Sequence, residues 1–191
     1  MTGHVLYLVG GPPRVGKSAL AQQLLMDDVI AWLPTDVIRT VLRRVLPDVD
    51  AADQDPVDAV RLGEVMYPHI EQAAEVCAEE AGRFLIEGFE LLPGHPARLQ
   101  SALAGTTIRA CFLGHQSFSA GDLAAYRGPK PQHEDQLPAA ELAEAAAWIR
   151  RHSRLLRREC RAAGQPYVDV GALGFDGAIR LARRHLLGPP R

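Results

Sequence analysis

The residues most able to do chemistry in this chain are a lysine and a serine that directly follow a glycine-bounded stretch. Together they match the pattern G-x-x-x-x-G-K-[ST]. A loop that wraps around phosphates must turn several backbone N–H groups inward, which glycine permits, and a helix starting behind it adds the positive end of its dipole. The pattern therefore predicts a phosphate-binding loop, called the P-loop below, formed by Gly11, Pro12, Pro13, Arg14, Val15, Gly16, Lys17 and Ser18.

Two polar side chains of the P-loop have predicted tasks. Lys17 would bridge the β- and γ-phosphates of a bound nucleotide, and the Ser18 hydroxyl would be a ligand of Mg²⁺.

The guanine-reading sequence N-K-x-D cannot occur, because the chain contains no asparagine. A GTPase is therefore disfavoured.

Two further polar groups follow apolar runs that we predict to be strands. Asp36 and Arg39 are three residues apart, on one face of the first turn of a predicted helix. A kinase needs a carboxylate to take the proton of the acceptor hydroxyl, and often an arginine to hold an anionic acceptor group. The alternative is a surface ion pair favoured by the helix dipole. Glu87, which ends another apolar run, could hold a Mg²⁺-bound water or the acceptor.

A polar, proline-containing segment, residues 127–138, is predicted to begin a lid over the phosphates that extends to about residue 154. Arg127 and Lys130 within it, and Arg150, Arg151 and Arg154 on the following helix, are candidates to stabilise charge on the transferring phosphoryl group. The arginines on the helix have an alternative explanation, since basic residues are favoured towards a helix C-terminus.

Five short apolar runs alternate with helix-like segments along the chain. Such alternation predicts a three-layer α/β fold: a five-stranded parallel sheet with helices on both faces and the ligand at the carboxyl ends of the strands. We expect one domain, residues 1–191. The strands are predicted at residues 4–9, 29–33, 83–88, 107–113 and 167–170. The helices are predicted at 19–26, 35–46 with Thr35 as its cap, 55–81 with a kink or break at Pro68, 93–103, 119–126, 139–163 and 174–187.

The composition narrows the function classes. Hydrophobic residues make up 47% and charged residues 23%, which is ordinary for a globular protein, and the net charge of −2 disfavours a general nucleic-acid binder. Cysteines are few and widely spaced, which argues against disulfides or a zinc site. No apolar run reaches membrane-spanning length and no leader pattern is present, so we expect a cytoplasmic protein without membrane contact.

The P-loop, the TDVIR segment at 35–39 and the LIEGFELLPG segment at 85–94 together resemble a small P-loop kinase with the P-loop NTPase fold. The D-x-x-R spacing is similar to that of polynucleotide 5′-kinases, the pair of segments resembles the core of 2-phosphoglycerate kinases, and the aspartate is similar to that of chloramphenicol phosphotransferase. The resemblance implies that Lys17 and Ser18 bind ATP and Mg²⁺, that Asp36 is the general base, and that Arg39 contacts the acceptor. Pro34 and Glu90 stand where serine and histidine are expected in the phosphoglycerate enzymes.

These observations lead to the expectation of a phosphotransferase that moves the γ-phosphoryl group of ATP to a hydroxyl of a small, anionic acceptor. Lys17, Asp36 and Arg127 would be catalytic, and Asp36, Arg39 and Glu87 would bind the acceptor. Two alternatives remain: an ATPase or switch protein with no acceptor, and a kinase for nucleic-acid 5′-hydroxyls, for which the arginine-bearing helix is the one candidate basic surface.

Overall fold

A computed structural model of the chain describes residues 4–45, 56–125 and 138–188. Its central element is a five-stranded sheet in which every pairing is parallel and the strand order is β2-β3-β1-β4-β5. The predicted sheet is therefore confirmed. The strands are β1 (His4–Gly10), β2 (Ala31–Pro34), β3 (Arg83–Gly88), β4 (Thr106–Gly114) and β5 (Tyr167–Asp169).

Helices connect the strands and cover both faces of the sheet. Within the described ranges, none of them is long and apolar enough to cross a membrane. The helices are α1 (Lys17–Asp28), α2 (Thr35–Val45), α3 (Pro56–Glu80), α4 (His95–Ala102), α5 (Ala120–Ala125), α6 (Ala139–Ala163), α7 (Val170–Leu173) and α8 (Phe175–Leu187).

The central strand β1 shows why the sheet has a core on each side. Successive side chains of a strand point to opposite faces. Accordingly, Leu6 and Leu8 pack into the hydrophobic cluster that α3 and α4 cover, whereas Tyr7 and Val9 pack into the cluster that α1 and α8 cover. Burial on both faces explains why this strand is an almost unbroken apolar run in the sequence. β1 is also where the strand order reverses, with β3 on one side and β4 on the other.

Three predicted details of the elements are wrong, and one short helix was not predicted. The second strand starts at Ala31, because Val29 adopts a left-handed conformation that ends α1. The predicted break at Pro68 is wrong, because α3 runs through it and the side chains of Met66 and Ile70 on either side are fully buried; the alternative, a kink at Pro68, stays a prediction. Thr35 lies inside α2, and its hydroxyl bonds to a distant side chain rather than capping the helix. The short α7 was not predicted.

Candidate active site

The P-loop runs from the end of β1 to the first turn of α1, and its backbone needs both glycines. Gly11 and Gly16 have φ angles of 145° and 94°. A Cβ atom on Gly11 would lie 2.2 Å from the carbonyl oxygen of Leu113, and one on Gly16 would lie 2.8 Å from the Phe175 ring. Larger residues are thus excluded by conformation and by space. Arg14, with φ of 68°, adds a third left-handed residue to the loop.

Lys17 is the first residue of α1 and is buried under the P-loop. Its ammonium group donates a hydrogen bond to the carbonyl oxygen of Pro12 at 2.9 Å, so the side chain folds back along the inside of the loop. A lysine in this position places a fixed positive charge where the backbone N–H groups of a helix N-terminus also point. The combination suits a polyanion.

Ser18 connects the P-loop to the end of the neighbouring strand β3. Its hydroxyl donates to Oε1 of Glu87 at 2.9 Å, and Glu87 is only 4% exposed. Glu87 is brought there by the sheet, because it pairs in register with Val9 at the end of β1. A hydroxyl and a carboxylate oxygen in contact are the hard donors that Mg²⁺ prefers.

The described residues contain no cluster of three or more His, Cys, Asp or Glu side chains that could hold a metal ion by themselves. Ser18 and Glu87 therefore suit a cation that takes its remaining ligands from phosphate oxygens and water.

Asp36 and Arg39 lie at the start of α2, as their spacing predicts, and they contact each other. Nη2 of Arg39 lies 3.5 Å from Oδ1 of Asp36, whose side chain is 48% exposed. Nε of Arg39 lies 3.2 Å from Oε1 of Glu90, a carboxylate that is completely buried. This second contact is an ion pair rather than a well-aligned hydrogen bond. The other oxygen of Glu90 accepts a hydrogen bond from the Thr35 hydroxyl.

Gly88 explains how α2 approaches the end of β3 so closely. A Cβ atom at this position would lie 1.6 Å from the Thr35 hydroxyl oxygen and 2.6 Å from its Cβ. The missing side chain lets Thr35 pack directly on the strand, which brings its hydroxyl to Glu90. The segment from Glu87 to Glu90 thus contacts the P-loop at one end and the helix that carries Asp36 at the other.

Phe89, which lies between Glu87 and Glu90 in the chain, packs against two aromatic rings of α6. The Phe89 ring is 4.9 Å from the His152 ring and 5.4 Å from the Trp148 ring, and Trp148 stacks on His152 with an interplanar angle of 8°. Burial, and to a smaller extent the positive charge of Lys17, lowers the pKa of His152 to about 4. The imidazole is therefore neutral at pH 7. Its Nδ1 is buried and has no hydrogen-bond partner among the residues that the structure describes.

The ends of β4 and β5 close the other side of the P-loop. The Gln116 side-chain amide donates to Asp169, and Oδ1 of Asp169 also accepts from the Gly171 backbone N–H at 3.0 Å. The backbone N–H of His115 donates to the Ser153 hydroxyl at 2.9 Å, which joins the end of β4 to α6. These bonds hold the strand ends and the first turn of α7 together.

The structure brings together the P-loop residues, Glu87, Asp36 and Arg39, but it does not describe the predicted lid completely. Arg127 and Lys130 lie outside the described residues. The Arg150 guanidinium donates to the Phe118 carbonyl oxygen at 2.6 Å, and Arg151 and Arg154 are exposed on α6.

Sequence reasoning assigned no function to several residues of this site. Glu90 was noted only as a departure from a resembling family, although a glutamate inside the apolar stretch at 85–92 is a signal that it needs a buried partner. Trp148 and His152 stand four residues apart on a predicted helix, which places them on one face, but nothing in the sequence indicates what that face contacts. The residues missed are Thr35, Phe89, Glu90, Trp148 and His152.

Comparisons with known proteins show the fold of the chain. No protein-family model and no curated protein sequence matches it. Among solved structures, shikimate kinase from Bacteroides thetaiotaomicron aligns with a TM-score of 0.55 and 13% identity over 95% of this chain and 97% of that chain. An uncharacterized protein from Eubacterium ventriosum aligns at 0.54 and 12% identity, over 97% and 99%. The Deinococcus radiodurans tunicamycin resistance protein aligns at 0.50 and 18%, over 98% and 99%. The predicted three-layer α/β fold, a five-stranded parallel sheet with helices on both faces, is thereby confirmed.

Proposed function

We propose that this protein is an ATP- and Mg²⁺-dependent phosphotransferase that moves the γ-phosphoryl group of ATP to a hydroxyl of a small molecule. The observation that carries the proposal is the line of contacts from the P-loop to Asp36. Ser18 bonds to Glu87, and three residues further on Glu90 contacts Arg39, which in turn contacts Asp36. A phosphate site and a half-exposed carboxylate are thus part of one connected structure.

This arrangement suits an in-line transfer. The P-loop N–H groups and Lys17 would hold the phosphates, and Ser18 and Glu87 would hold Mg²⁺, which neutralises charge on the phosphates when bound. Asp36 would accept the proton of the acceptor hydroxyl. The hydroxyl oxygen would at the same time bond to the γ-phosphorus, and the bond between that phosphorus and the bridging oxygen would break, with ADP as the leaving group. Holding the two reactants in line is the main contribution expected of such a site.

The likeness to shikimate kinase supports the same conclusion at the level of fold, since that enzyme is a kinase. The identity of the acceptor depends on the residues around Asp36, which lie outside the P-loop. Two alternatives remain: an ATPase or switch in which Asp36 only stabilises the start of α2, and a kinase for nucleic-acid 5′-hydroxyls.

The test compares Asp36→Asn with the wild type. ADP release from Mg-ATP is measured alone and with pooled acceptors: phosphoglycerates, nucleosides and nucleotides, aminoglycosides and other antibiotics, and 5′-hydroxyl oligonucleotides. We expect one pool to raise ADP release, and Asp36→Asn to lower that transfer about 10²–10⁴-fold while ATP binds normally.

Asp27→Asn is the matched control, because Asp27 is an exposed carboxylate with an arginine partner, Arg183 at 2.6 Å. It should retain full transfer. ADP release that no acceptor stimulates, or full transfer by Asp36→Asn, would contradict the proposal and favour the ATPase.

A further inference from the structure

Arg14 has a backbone conformation that arginine rarely adopts. Its φ angle is 68°, and the other two residues of the P-loop with positive φ are Gly11 and Gly16. A residue with a Cβ atom is disfavoured in this left-handed region, whereas glycine is not. Pro13 and Arg14 form the turn of the loop, and a proline followed by a residue of positive φ is the pattern of a type II turn, whose second central position favours glycine. The chain thus has an arginine where the backbone favours a glycine.

The turn places Arg14 at the rim of the phosphate site. Val15, the next residue, is 1% exposed and packs into the hydrophobic cluster that α1 and α8 cover. Lys17 is buried inside the loop, with its ammonium group on the Pro12 carbonyl oxygen. Arg14, by contrast, is only half-buried. A long cationic side chain therefore starts at the edge of a loop whose interior already holds one cation.

A positive φ does not by itself identify a function, as Val29 illustrates. Val29 has a φ of 54°, but it ends α1, and its backbone N–H donates to the Leu25 carbonyl oxygen. At position 14 a glycine would satisfy the turn without strain, so it is the arginine side chain that needs a reason. Residues held in such conformations cluster at functional sites. Arg14 also interacts with other groups of the protein, so a structural role is the alternative that an experiment must separate.

Resting on the kinase function proposed above, we propose that Arg14 is a catalytic residue whose guanidinium contacts the γ-phosphoryl group and the oxygen that bridges it to ADP. A planar guanidinium donates two parallel hydrogen bonds to phosphate oxygens, which an ammonium group does not. As the bond between the γ-phosphorus and the bridging oxygen breaks, negative charge develops on that oxygen. Arg14 stabilises this charge and exchanges no proton.

An arginine supplied by the P-loop itself differs from one supplied by a lid. The backbone of the loop holds Arg14 beside the phosphates, whether or not the predicted lid contributes Arg127. Lys17, folded under the loop, supplies a point charge, and Arg14 would add a directional pair of donors at the rim. The two cations would then contact the phosphates from different sides.

The contact is tested with two nucleotides that differ in the γ-phosphoryl group, ADP and the non-hydrolysable analogue AMP-PNP, each with Mg²⁺. Isothermal titration calorimetry gives both Kd values for the wild type, Arg14→Gly and Arg14→Lys, and requires no acceptor. We expect Arg14→Gly to weaken AMP-PNP binding about tenfold and ADP binding less than about threefold. Arg14→Lys keeps the charge without the planar fork and should fall between the wild type and Arg14→Gly.

Thermal unfolding separates this role from a structural one. Glycine relieves the strain at position 14 but gains entropy in the unfolded chain, so Arg14→Gly should change Tm by less than about 3 °C. Val29→Gly is the matched control, because it makes the same backbone change at a residue that is 82% exposed and outside the P-loop. It should have a similarly small effect on Tm and leave both Kd values unchanged.

The outcomes distinguish this inference from the kinase function. With an acceptor that raises ADP release, Arg14→Gly should lower kcat about 10³-fold, and a loss under tenfold would overturn the catalytic role. Equal weakening of both nucleotides, or no change in either, would overturn the contact with the γ-phosphoryl group. A Tm loss above about 5 °C in Arg14→Gly would assign the side chain to structure instead. Selective loss of AMP-PNP binding without any acceptor-stimulated ADP release would support the contact and count against the kinase function.

Discussion

Replacing Gly88 by alanine should be one of the most damaging small changes in this protein. The new Cβ atom would lie 1.6 Å from the Thr35 hydroxyl oxygen and 2.8 Å from its Cγ2. Neither residue can move easily, because Gly88 ends a paired strand opposite Gly10 and Thr35 is completely buried in the first turn of α2. The Thr35 hydroxyl must therefore leave Glu90.

The cost can be worked out from its two parts. Forcing an additional carbon into a packed core costs about 1–3 kcal/mol, and breaking a buried hydrogen bond to a carboxylate costs about 1–3 kcal/mol more. We expect Gly88→Ala to lower the free energy of unfolding by about 2–6 kcal/mol, which for a domain of this size lowers Tm by roughly 10 °C. Thr35→Val, which keeps the volume and removes only the hydroxyl, should lose about 1–3 kcal/mol.

Urea unfolding followed by circular dichroism measures these values, with Gly82→Ala as the matched control. Gly82 is exposed just before β3, and a Cβ atom there would meet nothing within 4 Å. That control should lie within about 1 kcal/mol of the wild type. If Gly88→Ala is as stable as Gly82→Ala, or if Thr35→Val is the more damaging variant, the contact between Gly88 and Thr35 does not position α2 as argued.

Three further predictions concern the P-loop and the buried histidines. Lys17→Ala should reduce ADP release about 10²–10³-fold in a coupled assay, and a loss under threefold would contradict a phosphate-binding role. Ser18→Ala should raise the Mg²⁺ concentration for half-maximal activity about tenfold, whereas Ser101→Ala, on the exposed face of α4, should not change it. Burial lowers the pKa values of His95 and His152 to about 4, below the unfolded value near 6.5, so their contribution to stability is complete above pH 6.5 and is lost as the pH falls towards 4. Relative to neutral pH, each histidine should lower the free energy of unfolding by about 2 kcal/mol at pH 5, measured by urea unfolding. If the wild type and His152→Phe lose the same free energy of unfolding between pH 7 and pH 5, burial does not lower the pKa of His152.

The parts of the fold that the sequence predicts are those whose pattern is local. The strands at β1, β3 and β4 are predicted within one residue at each end, because both faces are buried and the apolar runs are continuous. The start of β2 is misplaced because Val29 is apolar yet 82% exposed, and it serves to end α1 rather than to pair in the sheet. At Pro68 the local tendency of proline to end a helix is overridden by the tertiary packing of α3, which keeps the helix continuous.

The same distinction applies to the candidate site. The P-loop is contiguous in sequence, so its pattern predicts most of the residues that would hold the phosphates. The contacts that complete the site join residues far apart in the chain: Thr35 and Glu90, on the proposed acceptor side, are separated by 55 residues, and Ser18 and Glu87, on the proposed phosphate side, by 69. Only the sheet order brings these residues into contact, and a single sequence does not contain that order. The role of Arg127 stays a prediction, as do the lid and the single-domain division.

The separation into two halves also limits what a similar fold can say about the acceptor. In the proposed kinase, the P-loop and Glu87 would form the phosphate half, whereas α2, Phe89, Glu90 and one face of α6 would form the acceptor half. Thr35 and Arg39 of α2 contact Glu90, which lies beyond the end of β3 and outside the P-loop, so these residues can be replaced while the P-loop keeps its sequence. A protein such as shikimate kinase, at 13% identity, can therefore share the whole fold while its acceptor half differs in charge and shape. Substitutions at Arg39, Glu90 and Trp148 should consequently change acceptor preference and leave nucleotide affinity nearly unchanged, because Glu87 contacts the P-loop whereas Glu90 contacts α2.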